Sequence, residues 1–417
     1  MQNIVILGAG QAGFQTAASL RQLGFDGTIR LVGDEPGLPY QRPPLSKAYL
    51  LGKTDTAGLQ FRPDTYFADS RVALIEDTAS AIDRTAKRVS LARGEALEYD
   101  HLVIATGARN RLLPVPGADL GGVMGLRTLA DADRLGEKLK QVEDVVVVGA
   151  GFIGLEFAAV AATLGKTVHV VELADRPMQR AVSAAMSDCF TVAHRNWGVT
   201  LHLGAALARL TGKRQVSGVE LADGSHIAAG LVVYGIGVQP NAEIAQAAGL
   251  HAPNGITVDA FLRTPDPAVS AIGDCALFPC AQAGGQAIRL ESVQNAADQA
   301  RALAANLTGT RTPYTALPWF WSDQGDLKLQ MVGLSKGHDR TVTLGDTGAR
   351  AFSTLLFRDN RLIATESVNR PADFMIARKL LGTPGRALPT PDEAASESFD
   401  MRAWEKAIAP HPERNSA

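Results

Sequence analysis

The chain has 417 residues, too many for one compact core, so two or three domains are expected. With 46% hydrophobic and 20% charged residues it can bury a core and is not disordered, and 41 basic against 43 acidic residues (net charge −2) argues against a protein that binds nucleic acid by neutralising phosphates. Three cysteines cannot build a disulfide scaffold and point to a reducing, cytoplasmic setting.

In chain order, MQNIVILGAG enters an apolar strand at once, with no basic region or cleavage site ahead of it, so no secretory signal is expected. Strand Asn3–Leu7 leads into GAGQAG (Gly8, Gly10, Gly13), a helix to about Leu23 and a strand at Thr28–Val32. HLVIATGARN (101–110) reads as a later strand ending in glycine, and RLLPVPGADLGG (111–122) as a connection. The pattern then repeats: an apolar strand at 145–148, GAGFIG (Gly149, Gly151, Gly154), a helix, a strand at Thr167–Val171, and GLVVYGIGVQPN (230–241). Residues 145–171 are long enough to pass for a membrane span, but four glycines, Glu156 and Lys166 lie inside, so a buried βαβ unit is expected instead. A third region begins at PWFW (318–321), with strands expected at Thr341–Leu344, Phe352–Phe357 and Arg361–Glu366 and a helix around Phe374–Leu381. The polar tail after Leu388 reads as loosely held until a short helix near Met401–Ile408. The fold class is therefore α/β: two Rossmann-like units and a C-terminal α+β domain.

A single GxGxxG is a weak signal, but here each copy follows an apolar strand, opens a helix and has an acid at the end of the next strand. The first glycine allows the tight turn, the second lets a pyrophosphate approach the backbone, and the third lets helix and strand pack closely. The helix N-terminus offers free N–H groups to the phosphates. Asp34 and Glu35 are the candidate ribose acids of the first copy, and Glu172 of the second. Ala12 and Ile153 fall inside the two turns, while Ala105, Thr106, Gly107 and Gly237 end the later strands. Two dinucleotide sites in one chain imply FAD and NADH, with a hydride passing between them.

The run of motifs GAGQAG, RPPLSKAYL (42–50), ATGA (105–108), LRTLADA (126–132), GAGFIGLE (149–156), SAIGDCA (270–276), ESVQNA (291–296) and PWFWSDQ (318–324) resembles the NADH-dependent ferredoxin reductases of oxygenase systems. Within that family the putidaredoxin and palustrisredoxin reductase group is the most similar, and the wider fold is that of glutathione reductase. The resemblance implies that Asp274 holds the flavin ribityl chain, that Lys47 lies beside the flavin ring, and that Arg42, Ala79, Arg127 and Val293 line FAD. It also implies Trp321 against the flavin, Glu156 near the nicotinamide and Glu172 near the adenosine ribose. It further implies a discontinuous FAD domain (1–111 and 242–318), an inserted NAD domain (112–241), a C-terminal domain (319–417) and a [2Fe–2S] ferredoxin as partner. A cation about 4 Å from the electron-accepting ring is worth roughly 4 kcal/mol at an effective dielectric near 20, which suits Lys47. A Lys47–Glu156 pair is expected.

Disulfide reductases of this architecture carry a CxxxxC pair soon after the first βαβ unit, where this chain reads RPPLSKAYLL. Cys275 and Cys280 have that spacing in the wrong place, so ordinary thiols are expected, with Cys189 in the core. No histidine or cysteine cluster has metal-ligand spacing. The alternatives left open are a thiol or disulfide reductase, another NADH-dependent flavin reductase, and a flavin-bound signalling protein. Finally, residues 350–386 hold seven basic residues against three acidic ones, a candidate surface for an acidic ferredoxin.

Overall fold

A computed structural model describes residues 1–408. Its first sheet is five-stranded and parallel, in the order Val269–Ala271, His101–Ile104, Asn3–Leu7, Thr28–Gly33, Val72–Glu76. Its second is also five-stranded and parallel, in the order Thr200–His202, Thr167–Val171, Asp144–Val148, Leu231–Tyr234, Val123–Gly125. Both central strands, NIVIL and DVVVV, are rich in β-branched residues and buried from their second residue on, as strands covered on both faces require. The duplication read from the sequence is therefore real, with one asymmetry. The far strand beside His101–Ile104 comes from beyond the second sheet, whereas the one beside Leu231–Tyr234 comes from before it.

Two chain segments cross between the sheets side by side, Ala108–Asn110 pairing antiparallel with Val238–Pro240. The third sheet is antiparallel, in the order Trp319–Gln324, Leu327–Gly333, Arg361–Val368, Ala351–Arg358, Arg340–Asp346, with helix Pro371–Gly382 on one face. It docks on the second unit through buried groups. Glu366 accepts hydrogen bonds from the backbone N–H and the hydroxyl of Ser183, the N-cap of helix Ala184–Asn196, and the turn glycine Gly325 lies against the Trp197 ring.

Residues 145–171 form strand, helix Phe152–Thr163 and strand, and among the described residues no helix is long and apolar enough to cross a membrane. One expectation fails. The tail after Leu388 is not loose at 390–394: a capping box between Thr390 and Glu393 starts helix Pro391–Ala394, and Pro391 and Ala394 are buried. Polar composition concealed a reciprocal cap.

Candidate active site

The two glycine turns repeat one construction. Gly8 has φ +107°, and a Cβ there would lie 2.2 Å from the Ala105 carbonyl oxygen; Gly149 has φ +100°, and its Cβ would lie 2.6 Å from that of Gly235. Gly13 and Gly154 are equally closed, packed on the carbonyls of Gly8 and Gly149. At the middle glycines the side-chain direction is open: nothing lies within 4 Å at Gly10, and only the Gly235 oxygen, at 3.9 Å, at Gly151. Space and free helix N–H groups thus coincide at both turns, which is the form a pyrophosphate needs.

Around the first turn the structure gathers most of the expected residues. A Cβ on Gly273 would touch the methyl of Ala12 at 3.1 Å, so Asp274 arrives beside the turn. Arg127 Nη2 donates to Asp274 Oδ2 at 3.0 Å and lies near Gly107, while Arg127 Nε is buried with no partner among the described residues. An unfilled buried donor beside an open glycine turn fits an anionic dinucleotide. Arg42 donates to the Arg127 carbonyl at 2.7 Å and pairs with Glu35, which also accepts from the Tyr40 hydroxyl. Glu35 is therefore held, whereas Asp34 is exposed with no side-chain bond among the described residues, so the two candidate acids are no longer equivalent. Thr106 donates to the Asn241 carbonyl at 2.6 Å. Ala79 opens strand Ala79–Asp83, and Val293 opens helix Val293–Leu307, whose Gln299 accepts from the Gly273 N–H at 2.7 Å.

At the second turn Glu172 accepts from the backbone N–H of Ala150 at 2.6 Å and of Ala174 at 2.9 Å. The guanidinium of Arg176 is turned to the following loop: Nη1 donates to the carbonyls of Val182 and Ser183 and to Ser187 Oγ, and Nη2 to the Gln179 carbonyl. Ile153 is 41% exposed beside the turn, and Gly237 has φ +105° in the crossing segment.

The junction between the units centres on Glu156, an acid only 5% exposed on the apolar helix Phe152–Thr163. Lys47 Nζ donates to its Oε2 at 2.7 Å, Ser46 Oγ to the same oxygen at 2.6 Å, and Ser322 Oγ to Oε1 at 2.8 Å. Pro43 and Pro44 begin the short turn that delivers Ser46 and Lys47, fixing two φ angles in advance. All three parts of the molecule thus meet on one carboxylate. Strand alternation puts Trp319 and Trp321 on one face of the third sheet, ring centroids 5.7 Å apart, and Ser322 on the other, while Phe320 packs on Phe152 at 4.6 Å. Sequence reasoning missed Ser46, Ser322, Tyr40 and Gln324. Only the adjacency of Ser46 to Lys47 and the alternation in WFWSDQ hinted at the first two.

The three cysteines are free and buried, and burial pushes the Cys275 and Cys280 thiols up. No group of three or more His, Cys, Asp or Glu among the described residues is placed to hold a metal ion. The basic excess at 350–386 is largely spent: Arg370 pairs with Asp373, Lys379 and Arg386 with Glu405, and Arg350 with Asp326, while Arg378 stacks on Trp319.

The family described as pyridine nucleotide-disulphide oxidoreductase matches residues 2–300, and the reductase C-terminal family matches 319–404. The chain is 52% identical over 412 residues to rhodocoxin reductase of Rhodococcus erythropolis, covering 98% of this chain and 95% of that protein. Among solved structures it resembles the ferredoxin reductase for the CYP199A2 system from Rhodopseudomonas palustris, with TM-score 0.94, 50% identity, and 98% and 100% of the two chains covered. It also resembles the covalent putidaredoxin reductase–putidaredoxin complex, with TM-score 0.93, 38% identity, and coverage of 98% and 99%. The chain belongs to the pyridine nucleotide-disulphide oxidoreductase family, as an FAD- and NAD(H)-using reductase with the reductase C-terminal domain.

Proposed function

We propose that the protein is an NADH:ferredoxin reductase in the cytoplasm, serving a [2Fe–2S] ferredoxin of a haem monooxygenase or ring-hydroxylating dioxygenase, with Lys47 and Glu156 as its catalytic pair. The observation that carries this reading is the convergence of Ser46, Lys47 and Ser322 on Glu156 between two open glycine turns. Bound FAD supplies the conversion between a two-electron donor and a one-electron acceptor. The chain's own residues do the rest by position and charge. Gly8, Gly10, Ala12 and Gly13 receive the FAD pyrophosphate, Glu35 its ribose, and Arg127 with Asp274 the chain leading to the ring. Gly149, Gly151, Ile153, Gly154 and Gly237 receive NADH, and Glu172 its adenosine ribose. Lys47 places an ammonium at the ring, and Glu156 holds that ammonium in a largely dry site. Trp321 closes the ring side of the third sheet.

The FAD domain is read as 1–111 plus 242–318, with 112–241 inserted and 319–417 following. Pairing of Val269–Ala271 with His101–Ile104 supports the discontinuity. Against a thiol or disulfide reductase stand three buried, free cysteines, none in the segment that holds Lys47. Extraction of the purified protein should yield FAD, and NADH should drive reduction of a [2Fe–2S] ferredoxin but not of a small disulfide. FMN in place of FAD, or disulfide turnover outpacing ferredoxin, would overturn the reading.

A further inference from the structure

Polar groups continue from Glu156 into a region that no reaction step reaches. Ser322 and Gln324 lie two residues apart on strand Trp319–Gln324, hence on one face, and both are completely buried. Gln324 Nε2 donates to Ser322 Oγ at 3.2 Å and faces Met178 Sδ at 3.8 Å. Its Oε1 lies 2.9 Å from Nε2 of His194, a fully buried residue on helix Ala184–Asn196 whose ring meets the edge of Trp197. His194 Nδ1 has no partner among the described residues. An acceptor at Gln324 Oε1 requires the imidazole hydrogen on Nε2, which leaves a bare lone pair at Nδ1. Burial pushes the imidazole down to about 4, so the ring stays neutral near pH 7.

The line therefore has a direction. His194 donates to Gln324, Gln324 to Ser322, and Ser322 to Glu156, while Ser46 and Lys47 donate from the opposite side. Docking the third sheet on the second unit does not require this. Apolar side chains would join the surfaces without burying four polar groups, and the orphaned Nδ1 is a cost with no structural return. We propose that His194, Gln324 and Ser322 are positioning residues for the reductase site: their one-way hydrogen-bond line orients the Glu156 carboxylate, and through it the Lys47 ammonium. The inference rests on reading Lys47 and Glu156 as the pair at the flavin. It makes that pair depend on correct docking of the second unit and the third sheet.

The test uses the FAD-loaded full chain as Glu156→Gln, Ser322→Ala, His194→Phe and the Ser322→Ala/His194→Phe double variant, matched for FAD content and thermal stability. Two readouts are taken, the visible absorption band of the bound flavin and the rate at which NADH bleaches it without oxygen. Ser322→Ala is expected to shift the band and slow bleaching about tenfold, and His194→Phe about threefold, with KM for NADH within about twofold of the unmodified protein. In the Ser322→Ala background His194→Phe should add nothing, because the line is already cut. An equal His194→Phe effect in both backgrounds overturns the inference. So do unchanged band and rate in both single variants while Glu156→Gln alters them. If Glu156→Gln alters neither, the flavin-facing reading falls first and takes the inference with it. Should a variant fail to hold FAD, histidine-labelled NMR of the unmodified protein decides: an Nδ1–H tautomer for His194 reverses the line and refutes the proposal, whereas a neutral Nε2–H tautomer from about pH 8 to 5 supports it.

Discussion

The two glycine turns of this reductase share one construction, but the helices they open differ in what they ask of the rest of the molecule. Gln15 and Glu156 both stand seven residues past the first glycine of their turn. Gln15 bonds to Ser19 Oγ at 3.0 Å, within its own helix, and asks nothing of the rest of the protein. Glu156 has no partner on its helix and is satisfied by Ser46, Lys47 and Ser322, from the two other parts of the molecule. The repeated part is what any dinucleotide requires, a tight turn and exposed N–H groups. The unrepeated part is a buried charge that only the assembled molecule can compensate. On the proposed function, binding is built locally and twice, and chemistry once, at the seam.

Breaking that asymmetry should give the largest effect. Removing one partner of a buried ion pair costs about 3–5 kcal/mol, because the other charge is left uncompensated. If part of that cost, about 2.7 kcal/mol, falls on the barrier, Glu156→Gln is expected to slow NADH-driven flavin bleaching by roughly a hundredfold, and Gln15→Ala by less than about twofold, measured anaerobically on FAD-matched protein. Equal effects at the two positions would mean that the repeat, not the seam, carries the chemistry.

The units also each hide a neutral histidine, in different company. His101 lies on a strand of the first sheet, Nε2 3.0 Å from Ser270 Oγ, and His194 on a helix of the second unit against the third sheet. Burial lowers both from 6.5 to about 4. Below pH 6.5 the unfolded chain takes up protons that the native one refuses, so stability falls as pH drops through the window from 6.5 to about 4. At about 1.4 kcal/mol per unit, each histidine accounts for roughly 3 kcal/mol of that fall. Glu366, whose carboxyl is pushed up by burial, works in the opposite sense and offsets part of it. The comparison is therefore between variants. Denaturant titrations at pH 7 and 4.5 should show a smaller loss for His101→Gln and for His194→Gln than for the unmodified chain. An unchanged loss in either would place that histidine's titration elsewhere.

The sequence could show what was local. Strand, glycine turn, helix and acid are contiguous, so both units and their glycines were legible, and Lys47 stood out through the motif that carries it. Partnership across the seam was not. Nothing within WFWSDQ says that Ser322 reaches Glu156, because the two are brought together only when the third sheet docks. The choice between Asp34 and Glu35 likewise depended on Tyr40 and Arg42 folding back. The charge count over 350–386 was incomplete for the same reason, since Glu405, which pairs with Lys379 and Arg386, lies outside the segment counted.

The two proposed ribose acids sharpen the comparison at a smaller scale. Glu35 is held by side chains and Glu172 by two backbone N–H groups, so each should be replaceable without disturbing the other site. Because Arg176 is committed to carbonyls and to Ser187, it is not free to meet a 2′-phosphate. NADH should be preferred over NADPH by about a hundredfold in kcat/KM if repulsion costs about 3 kcal/mol. Glu172→Gln should cut that preference about tenfold with FAD content unchanged, and Glu35→Gln should weaken FAD retention and leave the preference alone. Crossed effects would show that the acids do not serve separate nucleotides.

The smallest effect is expected on the third sheet, where neither turn is involved. With most of the basic cluster paired, Arg378 is the exposed cation best placed to meet an acidic ferredoxin: it stacks 4.8 Å from the Trp319 ring, itself beside Trp321. A single rim charge mainly alters the encounter rate and its salt dependence. Arg378→Glu should raise the KM for ferredoxin about threefold to tenfold at low salt. The difference should fade as ionic strength passes about 0.1 M, where the screening length is near 10 Å. Lys379→Glu should do less, because Glu405 already offsets that charge and Arg386 remains to pair with it. Ferricyanide reduction, which needs no docked protein, should be unchanged in both. Ferredoxin kinetics that ignore Arg378→Glu at low salt would move the docking surface off this face, and a parallel fall in ferricyanide reduction would show that Arg378 acts on the tryptophan pair instead of on the partner.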